Sequence, residues 1–155
     1  NKESGPELLP TQEVSGPLKL QMTMPSDPRL LAVVRSTVSG FAAAWGLDDE
    51  ECRGVTLAVD EALSNIIRHG YKNRCDRGIE LNCQAHVESL EFTFVDRGEP
   101  ADPSRFCAQP LDEVALGGRG THLIRQIMDE VCYERVAEEN RLRLKKYLPG
   151  AGSKA

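Results

Sequence analysis

The period of the apolar residues changes along this 155-residue chain in an order that few folds accommodate. Leu18, Leu20, Met22 and Met24 alternate with polar neighbours, the period of a half-buried strand. Pro25-Ser26-Asp27-Pro28 then supplies a turn and a helix N-cap. Leu30, Leu31, Val34, Val38, Phe41 and Ala42 follow at helical spacing as far as about Trp45, with Gly46 as the C-cap. Asp48 or Asp49 caps a second helix, from about Glu50 to His69, whose apolar face is Val55, Ala58, Val59, Ala62, Leu63, Ile66 and Ile67. Period two returns in Ile79 to His86 and Leu90 to Asp96, joined by Val87-Glu88-Ser89. It returns again in about Val131 to Ala137 and Arg141 to Tyr147, across a turn at Glu138-Glu139-Asn140. Between these pairs lie a proline-bearing stretch without period, Arg97 to Gly118, and a helix from about Thr121 to Asp129.

Hairpin-linked strands beside grouped helices predict an α+β fold: a two-layer sandwich whose mostly antiparallel sheet is covered by helices on one face. The strict βαβ alternation of a Rossmann unit is absent. One domain is expected over residues 18–148, with a loose tail at 1–17 and another at 149–155. About 20 residues without pattern inside a compact domain usually serve as a lid or functional loop.

A net charge of -5 argues against a nucleic-acid or basic membrane-surface protein. No apolar run approaches the roughly 20 residues of a spanning helix. The five cysteines form no C-x-x-C pair or zinc spacing and read as reduced thiols. With no signal-peptide pattern at the N-terminus, the expected location is the cytoplasm.

Three short segments could carry chemistry. Glu61, Asn65 and His69 recur every four residues along one stripe of the second helix. A carboxylate there can take a proton and a carboxamide oxygen can ligate a hard cation, although such a trio is more often plain helix surface. Asp96-Arg97-Gly98 closes a strand, where the carboxylate can accept from an exocyclic amine and the glycine can admit a flat ring; it is also a common turn. Gly117-Gly118-Arg119-Gly120 precedes a helix, whose exposed N–H groups favour phosphate, or else is a flexible connection. No Gly-Lys-Ser/Thr follows, so it is not a P-loop.

In order and at these separations, LAVDEALSNIIRHGY (Leu57 to Tyr71), FVDRGEP (Phe94 to Pro100) and GGRGTHLIRQIMDEV (Gly117 to Val131) resemble the N, G1 and G2 boxes of the GHKL (HATPase_c) ATP-binding domains. The resemblance is to the anti-sigma-factor serine/threonine kinases of the RsbW/SpoIIAB type and runs from Leu18 to Leu148. It implies a Bergerat-type sandwich holding ATP and Mg²⁺ under a short lid, here roughly Glu99 to Leu116. It implies Glu61 as catalytic base, Asn65 as Mg²⁺ ligand, Asp96 on the adenine amine with Gly98 beside the ring, and Gly118 and Gly120 around the phosphates. Arg119 and Thr121 join the candidate phosphate contacts, Thr121 standing with His122 where the family shows an apolar residue. Arg35 falls at a partner-contacting position of the family.

The implied activity is transfer of the ATP γ-phosphate to a serine or threonine of a small STAS-type antagonist protein, with partner switching that involves a sigma factor. A homodimer is implied by the same analogy. The alternatives are a nucleotide-binding sequestration module without turnover, and a detached histidine-kinase catalytic domain. The latter is disfavoured because His69 stands where those kinases carry lysine.

Overall fold

The computed structural model describes residues 17–102 and 119–150, the side chains of 119–121 excepted. Five strands form one sheet in the order β1-β2-β3-β5-β4, with every neighbouring pair antiparallel. The strands are β1 (Leu18–Pro25), β2 (Gly78–Ala85), β3 (Ser89–Asp96), β4 (Glu130–Val136) and β5 (Glu139–Tyr147). Three helices, α1 (Leu31–Ala44), α2 (Asp49–Asn65) and α3 (Arg119–Ile127), complete the α+β sandwich.

Alternation along the central strands defines the covered face. Ile79, Leu81, Cys83 and Ala85 of β2, Leu90, Phe92 and Phe94 of β3, and Leu142 and Leu144 of β5 are buried, whereas their alternate neighbours are mostly part-exposed. Register carries these side chains across the sheet in rows, Leu81–Phe94–Leu142 and Cys83–Phe92–Leu144. Val38, Val55, Ala58 and Val59 close the core from the helix side. Phe41 of α1 meets Phe92 edge to face, with ring centroids 6.3 Å apart. At the sheet edge this cover runs out: Met24 is buried, but Leu18 and Leu20 are exposed, so β1 is less buried than its alternation predicts.

Local signals set the helix ends. Asp27 caps a 3₁₀ turn at Pro28–Leu30 that leads into α1, and Gly46 follows α1 at φ +94°, in the left-handed region. Asp48 and Glu51 form a reciprocal capping box at the start of α2. The other end of α2 departs from expectation. The α-helix stops at Asn65, and a five-residue π turn, Ile66–Gly70, takes its place. Tyr71 N–H reaches back to Ile66 C=O at 2.9 Å, and Asn73 N–H to Ile67 C=O at 2.9 Å. Apolar spacing cannot distinguish this ending, because Ile66 and Ile67 are buried in either geometry.

The last hairpin is also tighter than expected. Its two turn residues are Ala137, at φ +57°, and Glu138, so Asn140 lies inside β5 rather than in the turn. A residue other than Gly, Asn or Asp in the left-handed region is not a turn signal that sequence reading weights.

Candidate functional site

The central rows of the covered face, Leu81–Phe94–Leu142 and Cys83–Phe92–Leu144, are apolar, and the row at the end of β3 is not. Ile79 is followed across the strands by Asp96 and Asn140, which are only 7 % and 3 % exposed. They bound a cavity of about 280 Å³. Its apolar floor is Ala62 and Ile66 from the second helix and its π turn, Ile124 from α3 and Leu142 from β5. Asn65, His69, Glu99, Asp102 and Tyr133 stand around the polar rim. An apolar floor with one buried carboxylate suits an aromatic ring that carries a hydrogen-bond donor.

Asp96 is held by its neighbours. Its Oδ1 accepts from Gly98 N–H at 2.9 Å and from Asn140 Nδ2 at 3.0 Å. Burial pushes its pKa above the ordinary carboxylate value, against those two hydrogen bonds and the nearby Arg135 guanidinium, which act to lower it. Tyr133 and Arg135 of β4 continue the network: Tyr133 Oη donates to Asn140 Oδ1 at 2.7 Å, and Arg135 Nη1 donates to Asn140 Oδ1 at 2.9 Å and to Gly98 C=O at 3.0 Å. Tyr133 Oη also accepts Ala101 N–H at 2.9 Å, which ties the chain leaving β3 to the last hairpin.

Close packing on the π turn requires a glycine at position 98: a Cβ placed there would lie 2.6 Å from the carbonyl carbon and oxygen of Gly70. Glu99 N–H seals this contact on Gly70 C=O at 2.8 Å. Tyr71 braces the same junction, donating to Gly78 C=O at 2.6 Å and accepting Arg97 N–H at 2.8 Å. Gly98→Ala is therefore expected to cost about 1–3 kcal/mol of stability through overpacking. Gly70→Ala, whose Cβ would meet nothing nearer than 3.7 Å, should be tolerated. Thermal melts of the two variants check this contrast.

Of the remaining predicted site residues, Asn65 lines the cavity and accepts from Arg68 Nη2 at 3.3 Å through its amide oxygen. Glu61 is half-buried one turn earlier and does not line the cavity. His69 lines it, but the π turn removes His69 from the regular i, i+4 stripe of Glu61 and Asn65. Arg119 and Gly120 begin α3; Gly118 and the side chains of Arg119 and Thr121 lie outside the described residues, as does the expected lid beyond Asp102. Arg35 pairs with Asp60 at 2.9 Å on the helix surface. Sequence reading missed Asn140, Tyr133, Arg135 and Gly70. The first had an available signal, since Asn140, Leu142 and Leu144 share one face of β5 just as Asp96, Phe94 and Phe92 share one face of β3.

Among the described residues, no helix is long and apolar enough to cross a membrane. An antiparallel sheet with helices on one face, and an acidic pocket between sheet and α2, define a Bergerat-type nucleotide-binding domain. The family model for the histidine kinase-like ATPase domain matches residues 24–146, and the chain belongs to that family. The serine-protein kinase RsbW of Bacillus pumilus (strain SAFR-032) is 30 % identical over 122 residues, 72 % of this chain and 75 % of the relative. RsbW of Bacillus subtilis (strain 168) is 28 % identical over 124 residues, again 72 % and 75 % of the two chains. Two solved structures share the fold. The RsbU and RsbW domains of Rv1364c from Mycobacterium tuberculosis superpose with a TM-score of 0.63 at 18 % identity, covering 85 % of this chain and 33 % of that one. The SiaB–SiaC complex from Pseudomonas aeruginosa gives 0.61 at 14 % identity, covering 83 % and 88 %.

Proposed function

We propose that this protein is an ATP-dependent serine/threonine kinase of the anti-sigma type, which transfers the γ-phosphate of ATP to a small antagonist protein. The observation that carries the reading is Asp96, buried on the covered face of the sheet and fixed by Asn140 and Gly98 at a cavity with an apolar floor. Among the described residues Asp96 makes no ion pair, and a carboxylate buried in that way is unfavourable for folding, which supports a binding role. Similarity to the RsbW kinases supplies the reaction class.

In this reading Asp96 accepts the adenine amine, while Ala62, Ile66, Ile124 and Leu142 exclude water from the ring. Asn65, on the helix side of the cavity, is the residue that holds Mg²⁺ through its amide oxygen. That fits the chemistry of a hard cation that takes few protein oxygens and completes its shell with phosphates and water. The bound ion supplies charge neutralisation of the transferring phosphoryl group. Gly118, Arg119, Gly120 and Thr121 are the candidate phosphate contacts by their place in the sequence, since a helix N-terminus such as that of α3 favours anions. Glu61 takes the proton of the acceptor hydroxyl. Gly98 lies beside the adenine ring and lets the chain after β3 pack on the π turn. The partner is an antagonist of the anti-sigma circuit, with a sigma factor as the alternate partner and a second copy of the chain completing a homodimer.

Calorimetric titration with Mg·ATP tests the reading directly. Micromolar binding by the intact chain, weakened at least tenfold in Asn65→Ala, is the expected result; a folded protein that takes up no Mg·ATP overturns it. Binding without transfer of labelled phosphate to any serine-bearing partner would instead favour the sequestration module.

A further inference from the structure

The polar row of the sheet distributes its hydrogen bonds unevenly over the two carboxylate oxygens. Asp96 Oδ1 takes both the Gly98 N–H at 2.9 Å and the Asn140 Nδ2 donor at 3.0 Å. A carboxylate oxygen offers two lone-pair sites, so Oδ1 is filled. Among the described residues nothing donates to Oδ2, which is the oxygen left for a ligand.

Asn140 cannot turn its amide over. Its oxygen receives Tyr133 Oη at 2.7 Å and Arg135 Nη1 at 2.9 Å, while its nitrogen donates to Asp96 Oδ1 and to Gly98 C=O, both at 3.0 Å. A flip would set the amide nitrogen against a phenol and a guanidinium, and the amide oxygen against a carboxylate and a carbonyl. The phenol could accept instead of donating, but the guanidinium, the carboxylate and the carbonyl would each lose their partner in a buried site. The donor aimed at Oδ1 is therefore fixed by four partners: Asp96 at the end of β3, Gly98 in the chain leaving it, and Tyr133 and Arg135 on β4.

We propose that Asn140 is the specificity-determining residue that makes this pocket select adenine over guanine, a proposal that rests on reading the cavity as an ATP site. Guanine presents two adjacent donors, N1–H and the N2 amine, which a carboxylate with both oxygens open takes as a pair. Adenine presents one donor, the N6 amine, beside the acceptor N1. With Oδ1 filled, Asp96 has one oxygen to offer, and the single donor of adenine matches it. Guanine in the same slot leaves a donor unmatched in a buried pocket, and sites built on one hydrogen-bond pattern reject such bases strongly. Loss of the Asn140 side chain reopens a lone pair on Oδ1 and restores the two-oxygen face that guanine needs.

The experiment is calorimetric titration of the full chain with Mg·ATP and with Mg·GTP, for wild type and Asn140→Ala. Wild type is expected to prefer ATP by about 100-fold or more. In Asn140→Ala that ratio should fall by about tenfold, with GTP binding gained as well as ATP binding weakened, since one hydrogen-bond match is exchanged. A structural role alone would weaken both nucleotides together and leave the ratio unchanged, and that result overturns the proposal. So does a wild type that takes both nucleotides equally. A folded wild type that binds neither nucleotide removes the ATP reading itself and is thereby distinguished. Should Asn140→Ala fail to fold, Tyr133→Phe replaces it: the ratio should fall in the same direction by a smaller factor, and an unchanged ratio overturns the proposal.

Discussion

Glu61→Gln is expected to leave Mg·ATP affinity within about twofold of wild type and to slow phosphate transfer by about 10²- to 10⁴-fold, the usual contribution of a general base. The two side chains have nearly the same shape, and the amide still accepts a hydrogen bond, but it cannot take the proton of an attacking hydroxyl. Position makes the separation between binding and turnover clean. Glu61 is half-buried and makes no hydrogen bond or ion pair among the described residues, so its substitution by the isosteric amide breaks none there. It stands one helical turn before Asn65 and outside the lining of the 280 Å³ cavity, where an incoming acceptor rather than the nucleotide would meet it. Transfer of labelled γ-phosphate to a serine-bearing partner gives the rate, and calorimetry gives the affinity. Undiminished transfer would place the base elsewhere; a parallel loss of ATP binding would make Glu61 a structural residue of the nucleotide pocket.

The parts of the fold legible in the sequence are those in which one face of an element is buried and its period therefore survives. α2 reads from Val55 to Leu63 because its burial follows the helical repeat, and β2, β3 and β5 read because theirs follows the strand repeat. The unread parts are places where backbone geometry departs from those repeats without a change in burial. At Ile66–Gly70 a π turn buries the same two isoleucines that an α-helix would. At Ala137 the hairpin turns on a residue with no turn signature. The second departure hid a site residue, because moving the turn by two positions takes Asn140 from a loop onto the covered face beside Asp96. Asp96 and Asn65 were legible only through three motifs taken in order, since each motif alone has commoner explanations. Gly98 was legible as a constrained glycine, but its constraint, the backbone of Gly70, became visible only once the π turn was known.

Asp96→Asn is expected to weaken ATP binding by about 100-fold, near 3 kcal/mol, without lowering stability at neutral pH. The substituted amide can keep its oxygen where Oδ1 stands and so retain the Gly98 and Asn140 hydrogen bonds. Its nitrogen then takes the place of Oδ2 and turns a donor toward the adenine amine, replacing a charge-assisted hydrogen bond by two opposed donors. Stability should move the other way. Burial raises the Asp96 pKa in the folded protein above its ordinary value of 3.8, so the folded state holds that proton more tightly than the unfolded chain does. The native state is then favoured at low pH, and this advantage is lost as pH rises from 3.8 through the raised value; above that window the folded protein carries the full cost of a buried charge. The neutral amide carries none of it, so the melting temperature of Asp96→Asn relative to wild type should increase between about pH 4 and pH 7. A variant that loses binding while its relative stability rises across that window identifies Asp96 as a residue retained for the ligand at the expense of the fold. One that loses both together at every pH would show instead that the carboxylate holds β3 to β5, and the binding defect would then follow from the damaged sheet.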